Sequence, residues 1–515
     1  MREEHVVTRR WKWSIGAVVL AVVAGVAALP AQAAVRLPHV FGSHMVLQRN
    51  IDVPVWGWAD PGEEVAVAIA GNQAKAKADA NGRWSAKLPP MKAGGPHTMT
   101  VAASNTITLT DVLVGEVWVG SGQSNMQMSV HGVVNAKQEV AAAKYPNIRL
   151  FYVPLVPAGE PAPDTNASWR VCSPRTVGGF SAALYFFGRE LHKQLGVPFG
   201  LINTSWGGTR VEPWTPPEGF KSEPKLAGYL KQIEQANAAY RKAIGPMLDR
   251  LEPWIPKARK ALAAGEQVPP MPQIARHTLD NRGRPTGLYN GMVHPIVPFA
   301  IRGAIWYQGE ANLGDGSVYF QKMKALIAGW RAVWKQGDFP FYLVQLAPFR
   351  YRASPLLLPV IWEAQAATLA VPNTGMAVTT DITTLNNIHP PNKQDVGKRL
   401  ALWALAKDYG RKDTVHSGPL YKSLAIEGAK ARLTFDHTGG GLASRDGKPL
   451  TWFEIAGADK KFVKAQATLD GNTVVVASPE VPKPVAVRFG WHQLAEPNLM
   501  NKEGLPASPF RTHKW

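Results

Sequence analysis

Cysteine is nearly absent: Cys172 is the single thiol in 515 residues. One thiol cannot close an internal disulfide, and its distance from the N-terminus excludes a lipoprotein anchor. No His, Asp or Cys residues cluster at metal-ligand spacing, which argues against a metal hydrolase. After an N-terminal apolar run, no later stretch is long enough to span a bilayer. Charged residues make up only 18%, and the net charge of +19 comes from Lys and Arg spread along the chain. Without a basic helix, zinc-finger spacing or RNA-binding signature, this charge reads as the basic surface of an exported protein with no nucleic-acid partner. Internal repeats are absent too.

What is present describes a globular protein of several domains, with 45% hydrophobic residues over a length that exceeds one compact core. The 18 tryptophans are many. An indole offers a flat apolar face suited to stacking on sugar rings, although most should lie in the core. Residues 1–33 have the chemistry of a cleaved export signal. Arg9, Arg10 and Lys12 precede an apolar run from Ile15 to Leu29, Pro30 breaks it, and Ala31-Gln32-Ala33 offers a cleavage site. Thr8-Arg9-Arg10 hints at twin-arginine export, but Trp11-Lys12-Trp13 fits that motif poorly. Export without disulfides suits a bacterial periplasm or exterior, with no membrane association after cleavage.

From 34 to 111, short alternating runs are cut by Asp60-Pro61-Gly62, Gly71-Asn72, Asn81-Gly82 and Gly94-Gly95-Pro96. This spacing predicts an N-terminal β-sandwich-like domain. From 112 to 410, strands alternate with helices. Strands are expected at Ile148–Val153, Phe199–Thr204, Ile301–Tyr307, Phe341–Leu346 and Met376–Thr380. Helices are expected at Ser181–Leu195, Val318–Trp334 and Lys393–Tyr409. The order is that of an α/β domain, a parallel sheet with helices on both faces. A Lys/Ala-rich helical insertion at about 223–285 is placed to cover one end of the sheet. From 411 to 515 short β runs return as a C-terminal β-rich domain.

Val112 to Met126, VLVGEVWVGSGQSNM, is the most informative stretch. It reads as a buried strand ending in a Gly-rich turn from which Ser124 projects. Serines near glycines are also ordinary turn residues and helix caps, so the segment gains meaning from its companions. In doubly wound sheets, ligands bind beyond the carboxyl ends of the strands. Three further strand ends carry polar, Gly-rich sequence: Asn203 to Thr209, Trp306 to Asn312, and Asp381 to Pro390. Gathered at one rim, they supply what an ester hydrolase needs: a nucleophile in Ser124, a base in His389 and oxyanion donors from backbone N–H groups and the Gln308 amide.

The blocks GSGQSNM, NTSWGGT, WYQGEAN and IHPPNKQDVGKRLAL, in this order, resemble the sialate O-acetylesterase family of the SGNH/GDSL hydrolase superfamily. The likeness runs over most of residues 36 to 515. It implies a flavodoxin-like SGNH hydrolase domain flanked by β-rich domains, and metal-independent removal of O-acetyl groups from sugars without a cofactor. Carried over residue by residue, Ser124 is the nucleophile and His389 the general base. The oxyanion donors are the Ser124 N–H, Gly207 and Gln308, the last in place of the superfamily's Asn. Asn125, Arg210 and Glu310 are the candidate substrate contacts. One position departs from the superfamily pattern: Asn386 stands where an Asp precedes the histidine by three residues. Either a Ser–His dyad suffices, or another carboxylate such as Asp381 completes a triad; the dyad is the preferred expectation.

Two readings compete. Glu310 with Glu363 or Asp381 would be the acid and base of a glycoside hydrolase. Alternatively, the β domains and tryptophans would form a non-catalytic carbohydrate-binding protein. The acetylated substrate is a sialic acid by family likeness, or a neutral hemicellulose such as xylan or xyloglucan.

Overall fold

The computed structural model describes residues Ala34 to Trp515, so the export segment lies outside the described residues. Its spine is the 17-residue strand β1 (Thr106–Gly122). Up to Asp111 its side chains alternate between exposed and buried; from Val112 onward all are buried. That change marks its passage from a sheet with one wet face into one covered on both faces.

Six further strands complete the central sheet: β2 (Tyr145–Tyr152), β3 (Trp169–Cys172), β4 (Phe199–Ser205), β5 (Gly303–Tyr307), β6 (Phe341–Val344) and β7 (Thr374–Ala377). Their order is β7-β6-β5-β1-β4-β2-β3. All neighbours run parallel except β3, which is antiparallel to β2. Without the β2–β3 edge the order is flavodoxin-like, and its switch point falls between β1 and β5, where such folds place their ligands.

Five helices matter for the site: α1 (Ser124–Gln127), α2 (Ala182–Leu195), α3 (Ala227–Ala264), α4 (Val318–Trp334) and α5 (Lys393–Lys407). Trp118 of β1 packs on Phe187 of α2, with ring centroids 4.8 Å apart. Trp306 of β5 packs on Trp330 of α4 at 6.4 Å. Trp118 pairs with Gly303 in the sheet, three residues before Trp306, so the two indoles point to opposite faces. Ser181 caps α2 by accepting from the Leu184 N–H, and Asn392 caps α5 by accepting from the Asp395 N–H. Where α2 and α5 cross, a Cβ on Gly397 would meet the Phe187 nitrogen at 2.6 Å, so only glycine allows this approach.

The expected strands and helices of this domain are present, with Val318–Trp334 reproduced end to end. A helix at Leu357–Ala367 and the antiparallel strand β3 were not anticipated. The limit expected at 111 falls inside β1, and one continuous core joins the N-terminal strands to the central sheet. Within the insertion the one long helix is the 38-residue α3, which contains Pro246, Pro253 and Pro256 and buries little beyond Ile233, Ala258 and Ala261; residues 266–285 after it are not helical. The C-terminal region forms two four-stranded antiparallel sheets around a separate core that includes Leu433, Ile455, Val474 and Phe489. It is fixed to the hydrolase domain by Arg511, which donates to both oxygens of Glu363 at 2.9 and 2.8 Å. Among the described residues no helix is long and apolar enough to cross a membrane.

Candidate active site

The four polar blocks meet at the carboxyl ends of the strands. Gly122 closes β1 at φ 135°, where a Cβ would lie 2.2 Å from the Tyr307 carbonyl oxygen, so glycine is required. The Gln123 N–H donates to Tyr307 O (3.0 Å) and the Trp206 N–H to Gly122 O (3.0 Å), stitching the first three blocks together. Ser124 then opens α1. His389 arrives from the loop before α5 and places Nε2 2.8 Å from Ser124 Oγ, hydrogen-bond distance for a nucleophile and its base. Burial, and then the nearby Lys393, hold the imidazole below its ordinary value of 6.5. The ring is therefore neutral, able to accept a proton, at neutral pH.

Among the described residues no carboxylate is hydrogen-bonded or ion-paired to His389. Asp381 is turned away, with both carboxylate oxygens held by Arg399 at 2.7 and 2.6 Å. Asn386 is exposed and makes no hydrogen bond to the histidine. Neither candidate third member therefore touches His389. The loop is gripped through its backbone instead. Asn125 Nδ2 donates to the carbonyl of Ile388 (2.9 Å), and Lys393 Nζ donates to that of Pro390 (2.7 Å). Lys393 Nζ also donates to Asn125 Oδ1 (2.7 Å), and Asn125 Nδ2 to Glu310 Oε1 (2.6 Å). Residues on both sides of His389 are thus tied to the residue beside Ser124. Lys393 is fully buried, with its ammonium 5.2 Å from the Tyr307 ring centroid. Burial brings it down to about 7, against the opposing pull of Glu310, and burial raises the Glu310 carboxyl. Glu310 Oε2 and the Tyr351 hydroxyl are buried with no partner among the described residues.

Of the expected oxyanion donors, the Ser124 N–H has no acceptor among the described residues. Gly207 lies against the serine, where an added Cβ would come within 3.3 Å of Ser124 Cβ. Its N–H donates to Gln127 Oε1 at 2.7 Å, so an internal amide oxygen holds that donor here. Gln308 differs from expectation. Its side-chain nitrogen donates to Gln123 Oε1, the Thr209 carbonyl and Asn312 Oδ1, and its oxygen accepts from Tyr319. Fully buried in that network, the amide braces the rim and has no donor left for a substrate.

Arg210 is committed as well, donating to Glu212 Oε1 (3.0 Å), Asp315 Oδ1 (2.7 Å) and the Ala311 carbonyl (3.0 Å). Lys322 joins the same cluster, 2.5 Å from Glu212 Oε1 and 2.6 Å from Asp315 Oδ2. The cluster fixes the second block against the third. The carboxylate pairs of a glycoside hydrolase do not assemble either: Glu363 faces Arg511 and Asp381 faces Arg399. Among the described residues no three His, Cys, Asp or Glu side chains are placed to hold a metal ion. Sequence reasoning missed Lys393 and Gln127. Lys393 stood inside a quoted block and Gln127 just after one, but a lysine and a glutamine carry no catalytic signature without their partners.

Residues 277–406 match the family model described as a carbohydrate esterase, sialic acid-specific acetylesterase. The chain is 30% identical to the mouse sialate O-acetylesterase over 443 residues, 78% of this chain and 79% of that protein. With the human sialate O-acetylesterase it shares 31% identity over 445 residues, 78% of this chain and 76% of the other. A solved carbohydrate acetylesterase from Xanthomonas citri superposes with a TM-score of 0.78 at 36% identity, covering 94% of this chain and all of that one.

Proposed function

Since the chain belongs to the sialate O-acetylesterase family of carbohydrate esterases, we propose that it is an exported serine esterase that strips O-acetyl groups from glycans with a Ser–His dyad. The observation that carries the mechanism is the 2.8 Å contact between Ser124 Oγ and His389 Nε2, beside a free backbone donor.

In this reading Ser124 Oγ attacks the acetyl carbonyl while His389 Nε2 takes its proton. The N–H groups of Ser124 and Gly207 receive the developing oxyanion, and the Gln127 amide oxygen leaves Gly207 as the substrate carbonyl arrives. Collapse of the tetrahedral intermediate breaks the ester bond. His389 returns the proton to the departing sugar oxygen, leaving acetyl-Ser124. Water, deprotonated by His389, then releases acetate. With no carboxylate bonded to His389 among the described residues, the base is oriented through the Asn125 and Lys393 bonds to its flanking carbonyls. Glu310, buried behind Asn125, acts through that amide on the loop of the base.

The relatives named for sialate make an O-acetylated sialic acid the first substrate to test. The second is an acetylated neutral polysaccharide, which the Xanthomonas enzyme's description as a carbohydrate acetylesterase accommodates. Export is supported by the charge, apolar run and cleavage site of residues 1–33, and makes the periplasm or exterior the place of action. The test measures acetate released from O-acetylated sialic acid, acetylated xylan and acetylated xyloglucan. The parent is expected to deacetylate at least one. Ser124→Ala should lose about three orders of magnitude or more in kcat with an unchanged melting curve. Activity in Ser124→Ala within tenfold of the parent would overturn the nucleophile.

A further inference from the structure

A cleft of about 410 Å³ opens where the C-terminal β domain meets the loop ending at Leu356 of the hydrolase domain. Its walls are aromatic: Trp452, Phe462 and Trp491, with Leu356 from the hydrolase domain. Trp452 is 41% exposed, an uncommon place for an indole, and its backbone sits at φ 65°. A bulky residue in the left-handed region is strained and persists only where its surroundings enforce it. Here the Gly490 N–H holds the Trp452 carbonyl at 2.9 Å, and the indole lies nearly parallel to the His492 ring, with 20° between the planes. The chain therefore presents a flat apolar surface to solvent at an energetic cost.

The cleft also contains polar groups that the fold does not use. Glu454 and Arg488 stand opposite each other on paired strands and attract each other, yet no hydrogen bond or close ion pair joins them. The Glu454 carboxylate has no hydrogen-bond partner among the described residues, and burial raises it. Arg488 lies 3.8 Å above the centroid of Phe462 and donates only through Nε, to His513, which leaves its two outer nitrogens free. An acceptor and a double donor of opposite charge thus share one small aromatic cleft. An anionic ligand would meet Glu454, and a cationic one Arg488 and Lys460. A neutral ring with adjacent hydroxyls, each able both to donate and to accept, suits both groups while its C–H face covers the indole.

The position relates the cleft to the serine. The His492-Gln493 turn grips the loop before Leu356: Phe349 N–H donates to Gln493 O (3.0 Å), and Gln493 N–H to Pro355 O (2.9 Å). The same loop donates from Arg350 N–H to Leu385 O, in the segment leading to His389. Its Tyr351 phenol is raised first by burial and then by the neighbouring Glu310. Leu356 lies five positions beyond Tyr351, a reach of at most about 18 Å in extended chain. One loop thus carries both a wall of the cleft and a neighbour of the Glu310–Asn125 pair beside Ser124.

We propose that this cleft is a second carbohydrate-binding site, in which Trp452 stacks on an uncharged sugar ring whose hydroxyls meet Glu454 and Arg488, so that a glycan chain is held there while its acetyl ester lies at Ser124. It rests on the reading of the enzyme as a glycan esterase. The test compares Trp452→Ala and Glu454→Gln with the parent on acetylated xylan, acetylated xyloglucan, O-acetylated mucin and 4-nitrophenyl acetate. On whichever polymer the parent deacetylates, both variants should show KM raised about tenfold with kcat little changed. Their kinetics on 4-nitrophenyl acetate should match the parent, and Glu454→Gln, nearly isosteric, guards against a folding defect in Trp452→Ala. Polymer KM values within twofold of the parent in both variants would overturn the second site alone. A parent that cleaves 4-nitrophenyl acetate but none of the glycans would instead remove the glycan reading itself, and the second site with it.

Discussion

Two buried polar clusters stand side by side at the rim, and they are built on opposite terms. In one, Glu212 and Asp315 are fully matched by Arg210 and Lys322. Although burial pushes the Glu212 carboxyl up, Lys322 and Arg210 bring it down to about 2, and Lys322 is raised by its acids against its own burial. Glu212, Lys322 and Arg210 are thus all pushed toward their charged forms, and the cluster acts as a rivet between the second and third blocks. In the other, Lys393, Glu310 and His389 are bridged through Asn125 rather than paired. Glu310 keeps one oxygen unpartnered, Lys393 falls to about 7, and His389 lies below its ordinary value. Complete pairing fixes charge, whereas incomplete pairing moves protonation toward neutrality, where general acid–base chemistry needs it. The serine sits beside the second cluster.

Removing a charge from each cluster should separate them. Lys322→Met leaves Glu212 and Asp315 buried without their ammonium, and an uncompensated buried charge costs about 3–5 kcal/mol. Urea unfolding of the hydrolase domain should report that loss. The pH dependence has a definite sign. In the parent, Glu212 is held below its ordinary 4.5, so its contribution to stability is complete above pH 4.5 and is lost as the pH falls toward 2. In Lys322→Met that acid-side loss should shrink. A variant as stable as the parent at pH 7 would show that the first cluster is no rivet.

Lys393→Met should act on catalysis more than on folding. Without its bonds to Pro390 and Asn125 the base is held less firmly, and kcat on an aryl acetate is expected to fall about 10- to 100-fold with KM within threefold. In the proposed dyad the acidic limb of kcat/KM follows deprotonation of His389. The groups facing that ring are Ser124 and Lys393, and Glu310 and Tyr307 face Lys393 in turn. The limb should lie below pH 6.5 in the parent and move to higher pH when the positive neighbour is removed. A lower kcat with an unmoved limb would reduce Lys393 to a structural residue.

The smallest effect is expected from Asp381→Asn. Its partner is Arg399, not His389, so activity per folded molecule should stay within about tenfold of the parent on the same aryl acetate. A loss of several powers of ten with a native circular dichroism spectrum would make Asp381 a member of the catalytic unit after all.

The layout of the hydrolase domain was legible because its signals are local. The β-branched run of β1 and the 3.6-residue periodicity of α4 specify their elements without help from elsewhere. The four blocks were legible because strand ends in a parallel sheet must converge. Partner choice was not legible. Nothing near Asp381 in sequence announces Arg399, eighteen residues on, and nothing near Gln308 announces Thr209 or Tyr319. The limit of the N-terminal sandwich was blurred because Asp111 falls within one strand that serves two sheets. Lys393 stood among the polar residues of a helix start, and its burial follows only from α5 packing against the nucleophile turn.

The central claim is that Ser124 carries the acetyl group and His389 makes it reactive. Incubation with an organophosphorus fluoride, followed by intact mass and peptide mapping, reads this directly. The account predicts a single adduct on Ser124, matched by loss of esterase activity, absent in Ser124→Ala and formed at least about a thousandfold more slowly in His389→Ala. An adduct on another residue that tracks the loss of activity, or full labelling of His389→Ala at the parent rate, would contradict it.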